Sequence, residues 1–348
     1  MSYQPVDRLP VLAVEPYERL AVTRWRNEGL PIDKAPEEFL GMTRLVHVGG
    51  AGLSPIPAFK ETVVFEDDEY LEQYTTMGAT VRRRKEAPRT FYGHIDNPIK
   101  TRTDWDRYKE RLNPESPERL SGVLDPDNVR RLNKSCDPVG ILFFPFFFRF
   151  GVYTMGMERF LTSFHDDPDL MRDVFAVGGG LILTILPRIL DVIDVDFALF
   201  AEDLAWKKAP LISPETYYEF WYPWQDPIIQ MLQDAGVPVI CQWSAGRFDE
   251  ILPGMLAHGF TCTWPLERKA GVDAAEMRSR FGKELLLGGN IAMDAVVEGP
   301  SAIDREIDRL ERLIREGGFI PAMDDMVPIE CPFDHYRYLI DRLQNIRL

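Results

Sequence analysis

The chain is predicted to be an α/β protein, a (β/α)8 TIM barrel with an N-terminal extension, and three observations lead there. First, one phrase recurs in the last third: a short apolar run ends abruptly in polar residues, and a helix-patterned segment follows. Val237-Pro238-Val239-Ile240-Cys241 runs into Gln242-Trp243-Ser244, and Phe260-Thr261-Cys262-Thr263-Trp264 into Pro265-Leu266-Glu267. Glu284-Leu285-Leu286-Leu287-Gly288-Gly289 runs into Asn290, and Gly318-Phe319-Ile320-Pro321-Ala322-Met323 into Asp324-Asp325. Short apolar runs between helical patterns indicate buried parallel strands joined by crossover helices. Second, four such units amount to half a barrel. Third, 348 residues at 45% hydrophobic and 27% charged content allow one large core.

The elements follow in order. Residues 1–130 are irregular and punctuated by Pro55, Pro57, Pro88 and Pro98. Segments 59–64 and 90–95 read as strands, forming a hairpin across one barrel end. Segment 43–48 is a candidate first barrel strand. Segment 103–112 reads as a helix capped by Thr103, acidic early and basic late. With no flexible linker in sight, this region is an extension packed on the barrel, and residues 1–348 form a single domain. From residue 139 the main barrel units begin. A strand at 140–148 ends in aromatics, and helices follow at 157–164 and 168–190. The strand 194–200 ends in Ala201-Glu202-Asp203. Ser213-Pro214-Glu215 opens a helix with an N-cap, Pro at the first position and an acid in the first turn. Gly236 terminates it. Helices at 248–257, 273–281, 303–316 and 333–343 separate the remaining strands.

Composition excludes some functions. The net charge is −15, and the only basic run, Arg82-Arg83-Arg84-Lys85, reads as a solvated strand or loop. A nucleic-acid partner is therefore not expected. The four cysteines lack CxxC spacing and fit a reducing cytosol, so the expected location is cytoplasmic. The N-terminus lacks a signal pattern, and the apolar stretch 141–148 is too short to span a membrane.

In a barrel of this kind the residues just past each strand form the active site. Glu202 and Asp203 stand there together, as do Asp324 and Asp325. Adjacent acids after a buried strand cost stability unless they meet a wet cleft, a cation or a metal. Glu202, Asp203 and Asp324 are therefore the candidate catalytic groups. Gln242, Trp243, Ser244, Trp264, Glu267 and Asn290 are the candidate substrate contacts. Gly246 and Arg247 are read as opening the next helix with N–H groups free to bind an anion. Zinc would need three or four converging donors, and Glu202 with Cys241 or Cys331 is the set on offer. An Asp324→Asn change is expected to leave folding largely intact, because a strand-end acid facing a cleft contributes little packing.

These residues resemble the uroporphyrinogen decarboxylase superfamily over most of the chain. The resemblance rests on Glu202-Asp203-Leu204-Ala205 with Leu211-Ile212-Ser213-Pro214-Glu215, on Pro265-Leu266-Glu267 with Ala270-Gly271-Val272-Asp273, and on Leu287-Gly288-Gly289-Asn290. Gly317-Gly318-Phe319-Ile320-Pro321 and Asp324-Asp325-Met326-Val327-Pro328 extend it. Thr23-Arg24-Trp25, Glu28-Gly29-Leu30-Pro31 and Met155-Gly156-Met157-Glu158 match its uncharacterised bacterial branch. The resemblance implies either of two chemistries. Decarboxylases carry an N-terminal Arg-Gln-Ala-Gly-Arg segment that grips porphyrinogen carboxylates, and this chain has none. The other chemistry is methyl transfer to a corrinoid, often with zinc held by His-x-Cys-Gly and a later Cys. Here Trp243-Ser244-Ala245-Gly246 and Met323-Asp324 occupy those places. The expectation is a methyltransferase that demethylates a small O- or N-methylated substrate and delivers the methyl group to a corrinoid on a partner protein. A homodimer is also compatible with the resemblance. The alternatives are a decarboxylase of a tetrapyrrole or other ring carboxylate, and a non-catalytic tetrapyrrole or corrinoid binder.

Overall fold

The computed structural model describes residue 3 and residues 8–14, 17–85 and 92–348. In chain order the strands are β1 (Leu12–Ala13), β2 (Thr43–Arg44), β3 (Val46–Val48), β4 (Thr62–Glu66), β5 (Tyr70–Tyr74), β6 (Thr80–Arg84) and β7 (Gly93–Asp96). Then come β8 (Val139–Phe143), β9 (Phe197–Ala201), β10 (Val239–Trp243), β11 (Cys262–Trp264), β12 (Leu286–Ile291) and β13 (Phe319–Met323). Seven of them form one parallel sheet in the order β13-β12-β11-β10-β9-β8-β3. Leu45 alone separates β2 from β3, and β2 pairs in parallel with β1. β1 in turn lies against β13, where Val11, Leu12, Val14, Pro321 and Ala322 surround a cavity of about 20 Å³. So β1 supplies the eighth stave, and side chains rather than ladder hydrogen bonds fill the seam among the described residues.

Alternation along the strands builds two apolar layers. Leu199, Val239, Cys241, Trp243, Cys262, Trp264, Leu286, Ile320 and Ala322 pack together inside the barrel with Leu12 and Val14. Their strand neighbours Ala198, Phe200, Ile240, Leu287, Phe319 and Met323 join the larger core beneath the helices. That is the period of two expected of a sheet covered on both faces. The helix Pro168–Leu190 is long and apolar enough to cross a membrane. It packs Met171, Phe175, Ile182 and Ile185 into this core instead. At Gly288 an added Cβ would lie 1.5 Å from the Trp264 ring, so only glycine lets that ring cross β12.

Several sequence expectations are corrected. The strand predicted at 140–148 stops at Phe143, and Phe147–Met155 is a helix. The expected hairpin is a four-stranded antiparallel sheet, in the order β4-β5-β6-β7. Segment 59–64 overlaps β4 and segment 90–95 overlaps β7, but these are its two edges and do not pair. Residues 90 and 91 lie outside the described residues. Thr101, not Thr103, caps the helix Arg102–Tyr108, in a capping box with Asp104. The helix opened by Ser213 is interrupted by a π-helical turn at Tyr217–Trp221. No helix opens at Arg247; the next one is Leu252–Ala257.

Candidate active site at the β8 and β9 ends

The pair Glu202-Asp203 follows β9, and its two members do different jobs. Glu202 is fully buried. Its Oε2 accepts the Phe148 N–H (2.7 Å) and the Arg149 N–H (3.3 Å), and its Oε1 accepts the Trp221 indole N–H (2.9 Å). Burial pushes its pKa up to about 8, against the pull of those three donors. Glu202 thus holds the first turn of the helix Phe147–Met155 and never reaches the mouth. Asp203 turns the other way and forms an ion pair with Arg149 from that same helix. Consecutive acids hold the main chain and the guanidinium of one arginine. Burial raises the pKa of Asp203; Arg149 counters this, and Asp325 from the β13 end adds to it. The two strand-end acid pairs therefore share one mouth. Arg149 Nε and Asp203 Oδ1 are both buried there without a hydrogen-bond partner among the described residues.

Beside this pair lies a cavity of about 350 Å³. Phe144 and Pro145 after β8 and Tyr153 of the helix form one side. Tyr92, His94 and Val81 from the antiparallel sheet form the other, with Ser54 and Thr75 at its rim. His94 stacks on Tyr153 at 6.2 Å, and Phe144 meets Tyr153 edge-on at 6.2 Å. The Asn97 amide donates to the Tyr153 carbonyl and lies 3.0 Å from His94 Nδ1. Burial lowers the pKa of His94 and keeps it neutral; an Nδ1 that accepts from Asn97 places the ring proton on Nε2. Arg149 Nη1 donates to the Tyr153 hydroxyl at 3.4 Å. Burial and the neighbouring Tyr153 drive the Tyr92 phenol well up, and Arg149 pulls it back. An aromatic pocket, two phenols and a guanidinium thus converge at the C-terminal end of β8.

Several other predicted contacts turn out to be scaffold. Asp324 is 2% exposed, and its oxygens accept the Arg268 N–H (2.7 Å) and the Met293 N–H (2.9 Å). It closes the starts of two segments, so it does not fit the expectation of a cleft acid without a folding role. Burial lifts its pKa to about 6. Asn290 is buried at φ 68°, a left-handed conformation rare for a residue with a side chain. Its Oδ1 accepts from Ala274 N–H and Arg309, and its Nδ2 donates to the Leu266 and Val272 carbonyls. Ser244 accepts the Leu204 N–H and donates to the Ala245 carbonyl. Gln242 belongs to the layer under the helices, where its Nε2 approaches the Phe200 and Trp243 carbonyls. The Gly246 N–H is not free for an anion, because it donates to Glu267 at 2.9 Å. Glu267 is thereby placed at the mouth as a turn-closing acid. Trp264 is buried over Gly288, whereas Trp243 is half-buried in the barrel interior.

The residues proposed for zinc do not fit it. Among the described residues no three His, Cys, Asp or Glu side chains come together as a ligand set. Cys241 sits in register with Cys262 inside the barrel, its thiol raised well above the ordinary range by burial. Cys331 packs in the helix layer beneath Trp25, whose indole donates to its carbonyl, and its thiol is pushed up to about 12. Glu202 has both oxygens engaged elsewhere.

Sequence reasoning missed Arg149, Tyr153, Phe144, Tyr92 and His94. The first three would have joined the strand-end residues had β8 been ended at Phe143. Nothing in the sequence signals that Tyr92 and His94 fold over the mouth.

A family model and a solved structure agree with this architecture. The family model described as Uroporphyrinogen decarboxylase (URO-D) matches residues 73–346. Among solved structures, a methyltransferase from Methanosarcina mazei superposes with a TM-score of 0.57 at 14% identity, covering 98% of this chain and 94% of that one. A B12-independent methionine synthase from Shewanella sp. W3-18-1 superposes with a TM-score of 0.41 at 9% identity, covering 98% and 96%. No curated protein matches the chain.

Proposed function

The chain belongs to the uroporphyrinogen decarboxylase family, and from that premise we propose that it is a methyltransferase whose donor is a small aromatic methyl ether. The methyl acceptor is a reduced corrinoid carried by a partner protein, which supplies a strong nucleophile toward the methyl carbon. The observation that carries this reading is the aromatic pocket backed by Arg149. At about 350 Å³ it suits a substituted single ring.

The residues supply what an aryl ether needs. As the methyl–oxygen bond breaks, the electron pair stays on the aryl oxygen. A phenolate then requires a proton or a strong hydrogen bond. Tyr153 already accepts from Arg149, so its own O–H proton is free to point at that oxygen. The guanidinium stabilises the developing charge through the phenol. Phe144, His94 and Tyr92 hold the ring in line with the acceptor. Glu202 and Asp203 act only by fixing Arg149. No step requires a metal ligand set from this chain.

One observation favours the carboxy-lyase alternative: a guanidinium stands at the mouth. Its pairing with Asp203 leaves it poorly matched to a substrate with several carboxylates. The test is Tyr153→Phe, which retains the ring and loses the phenol. Methyl transfer from an aryl methyl ether should fall on the order of 10²-fold in kcat, the scale of losing one general acid. KM should change little. An unchanged kcat would remove Tyr153 from the chemistry.

A further inference from the structure

The basic run Arg82-Arg83-Arg84-Lys85 is the one sequence feature that the proposed reaction does not use. It lies on β6 and at its end, and strand alternation divides it. Arg82 pairs with Glu72, Arg84 with Glu69 at 2.9 Å, and Lys85 with Glu66 at 2.7 Å. These three are exposed and neutralised. Arg83 points to the face opposite Arg82 and Arg84, which Lys85 and Glu66 share, is half-buried, and has no ion-pair partner among the described residues.

That opposite face is the one turned toward the mouth. Val81, two residues before Arg83, lines the aromatic pocket. Val81, Thr75 and Tyr92 also line a second cavity of about 420 Å³, which opens outward and is bounded by Gln73, Arg83 and Glu61. Sharing these three residues, the two cavities adjoin along one cleft wall. Two residues of strand set Arg83 roughly 7 Å beyond Val81. A guanidinium in a cleft wall with no ion-pair partner among the described residues is a fork suited to a carboxylate or phosphate.

Resting on the reading above, we propose that this cleft takes an elongated aryl methyl ether, its ring in the aromatic pocket and an anionic arm bound at Arg83. A spacer of a few bonds between ring and anion spans the distance.

The experiment compares two probes, 3-(4-methoxyphenyl)propanoate and its neutral amide, by calorimetric titration of the full chain. The unmodified protein should bind the acid about tenfold more tightly than the amide, and Arg83→Ala should erase that difference by weakening the acid alone. Arg83→Lys should restore part of it, since a charge remains without the fork. Raising the salt should weaken the acid and spare the amide. Circular dichroism of Arg83→Ala should match the parent, because its side chain makes no ion pair among the described residues of the sheet. Equal affinity for acid and amide, with methyl transfer from both, would overturn the anionic subsite and leave the aryl ether reading standing. Failure of either probe to bind, with no methyl transfer from any aryl ether, would overturn both.

Discussion

Replacing Asn290 with alanine separates scaffold from site most cleanly. In the structure its amide satisfies three backbone groups that have no exit to solvent: the Ala274 N–H and the Leu266 and Val272 carbonyls. Alanine strands all three. At about 1 kcal/mol each, the low end for buried unsatisfied groups, that costs about 3 kcal/mol. Alanine must also adopt the left-handed backbone at φ 68°, adding about 1 kcal/mol. The expected loss is on the order of 4 kcal/mol, a large share of the 5–15 kcal/mol typical of a domain. Glycine removes the backbone strain but adds chain entropy and leaves the same groups stranded, so it should fall within about 1 kcal/mol of alanine. Urea unfolding followed by tryptophan fluorescence measures both variants. In the folded baseline each should still bind an aryl methyl ether, since Asn290 faces the β11–β12 connection and not the pocket. A variant as stable as the parent that has lost ligand affinity would refute this reasoning and return Asn290 to the binding site.

Three further outcomes follow from the geometry. Glu202 has a raised pKa, so its stabilising contribution is full below about pH 4.5 and is lost as pH rises through about 8. Glu202→Gln cannot titrate, so its stability relative to the parent should improve by a few kcal/mol between pH 5 and 9, whatever its constant offset; a flat difference across that range would show that Glu202 is not desolvated. Gly288→Ala drives a methyl into the Trp264 ring and should destabilise by about 1–3 kcal/mol or more in thermal unfolding, with a red-shifted tryptophan emission; an unchanged melting temperature would contradict the packing. Arg149→Ala should lower kcat at least as much as Tyr153→Phe and add nothing to it in the double variant, because the two act through one hydrogen bond; additive losses would separate their roles.

The barrel could be read from the sequence because its later strands are buried on both faces and end in abrupt polar residues. Strands β9 to β13 lie where that phrase puts them. The antiparallel sheet was only half read: its edges β4 and β7 were expected as a pair, while β5, with its polar residues, and β6, which reads as a basic run, were not. The β8 boundary failed for a simple reason: Phe146, Phe147 and Phe148 are as apolar as a strand, but they pack against Phe175 and Phe160 as the start of a helix. The strand-end acids were found, but their part in holding the backbone was not. A strand end in this fold is also where the next segment begins with unbonded N–H groups, and Glu202 and Asp324 are engaged in satisfying them. Asp203 instead pairs with Arg149, an arginine that the misplaced boundary had hidden.

The central claim is that this barrel breaks a methyl–oxygen bond. It is tested most directly with an aryl ether carrying a 13C-labelled methoxy group and a carboxylate labelled with 14C. Mixed with the protein and excess reduced corrinoid, it should yield labelled methyl on the corrinoid and the demethylated phenol in equal amounts, with no labelled carbon dioxide. Release of labelled carbon dioxide with the methoxy group intact would contradict the account and assign the mouth to decarboxylation.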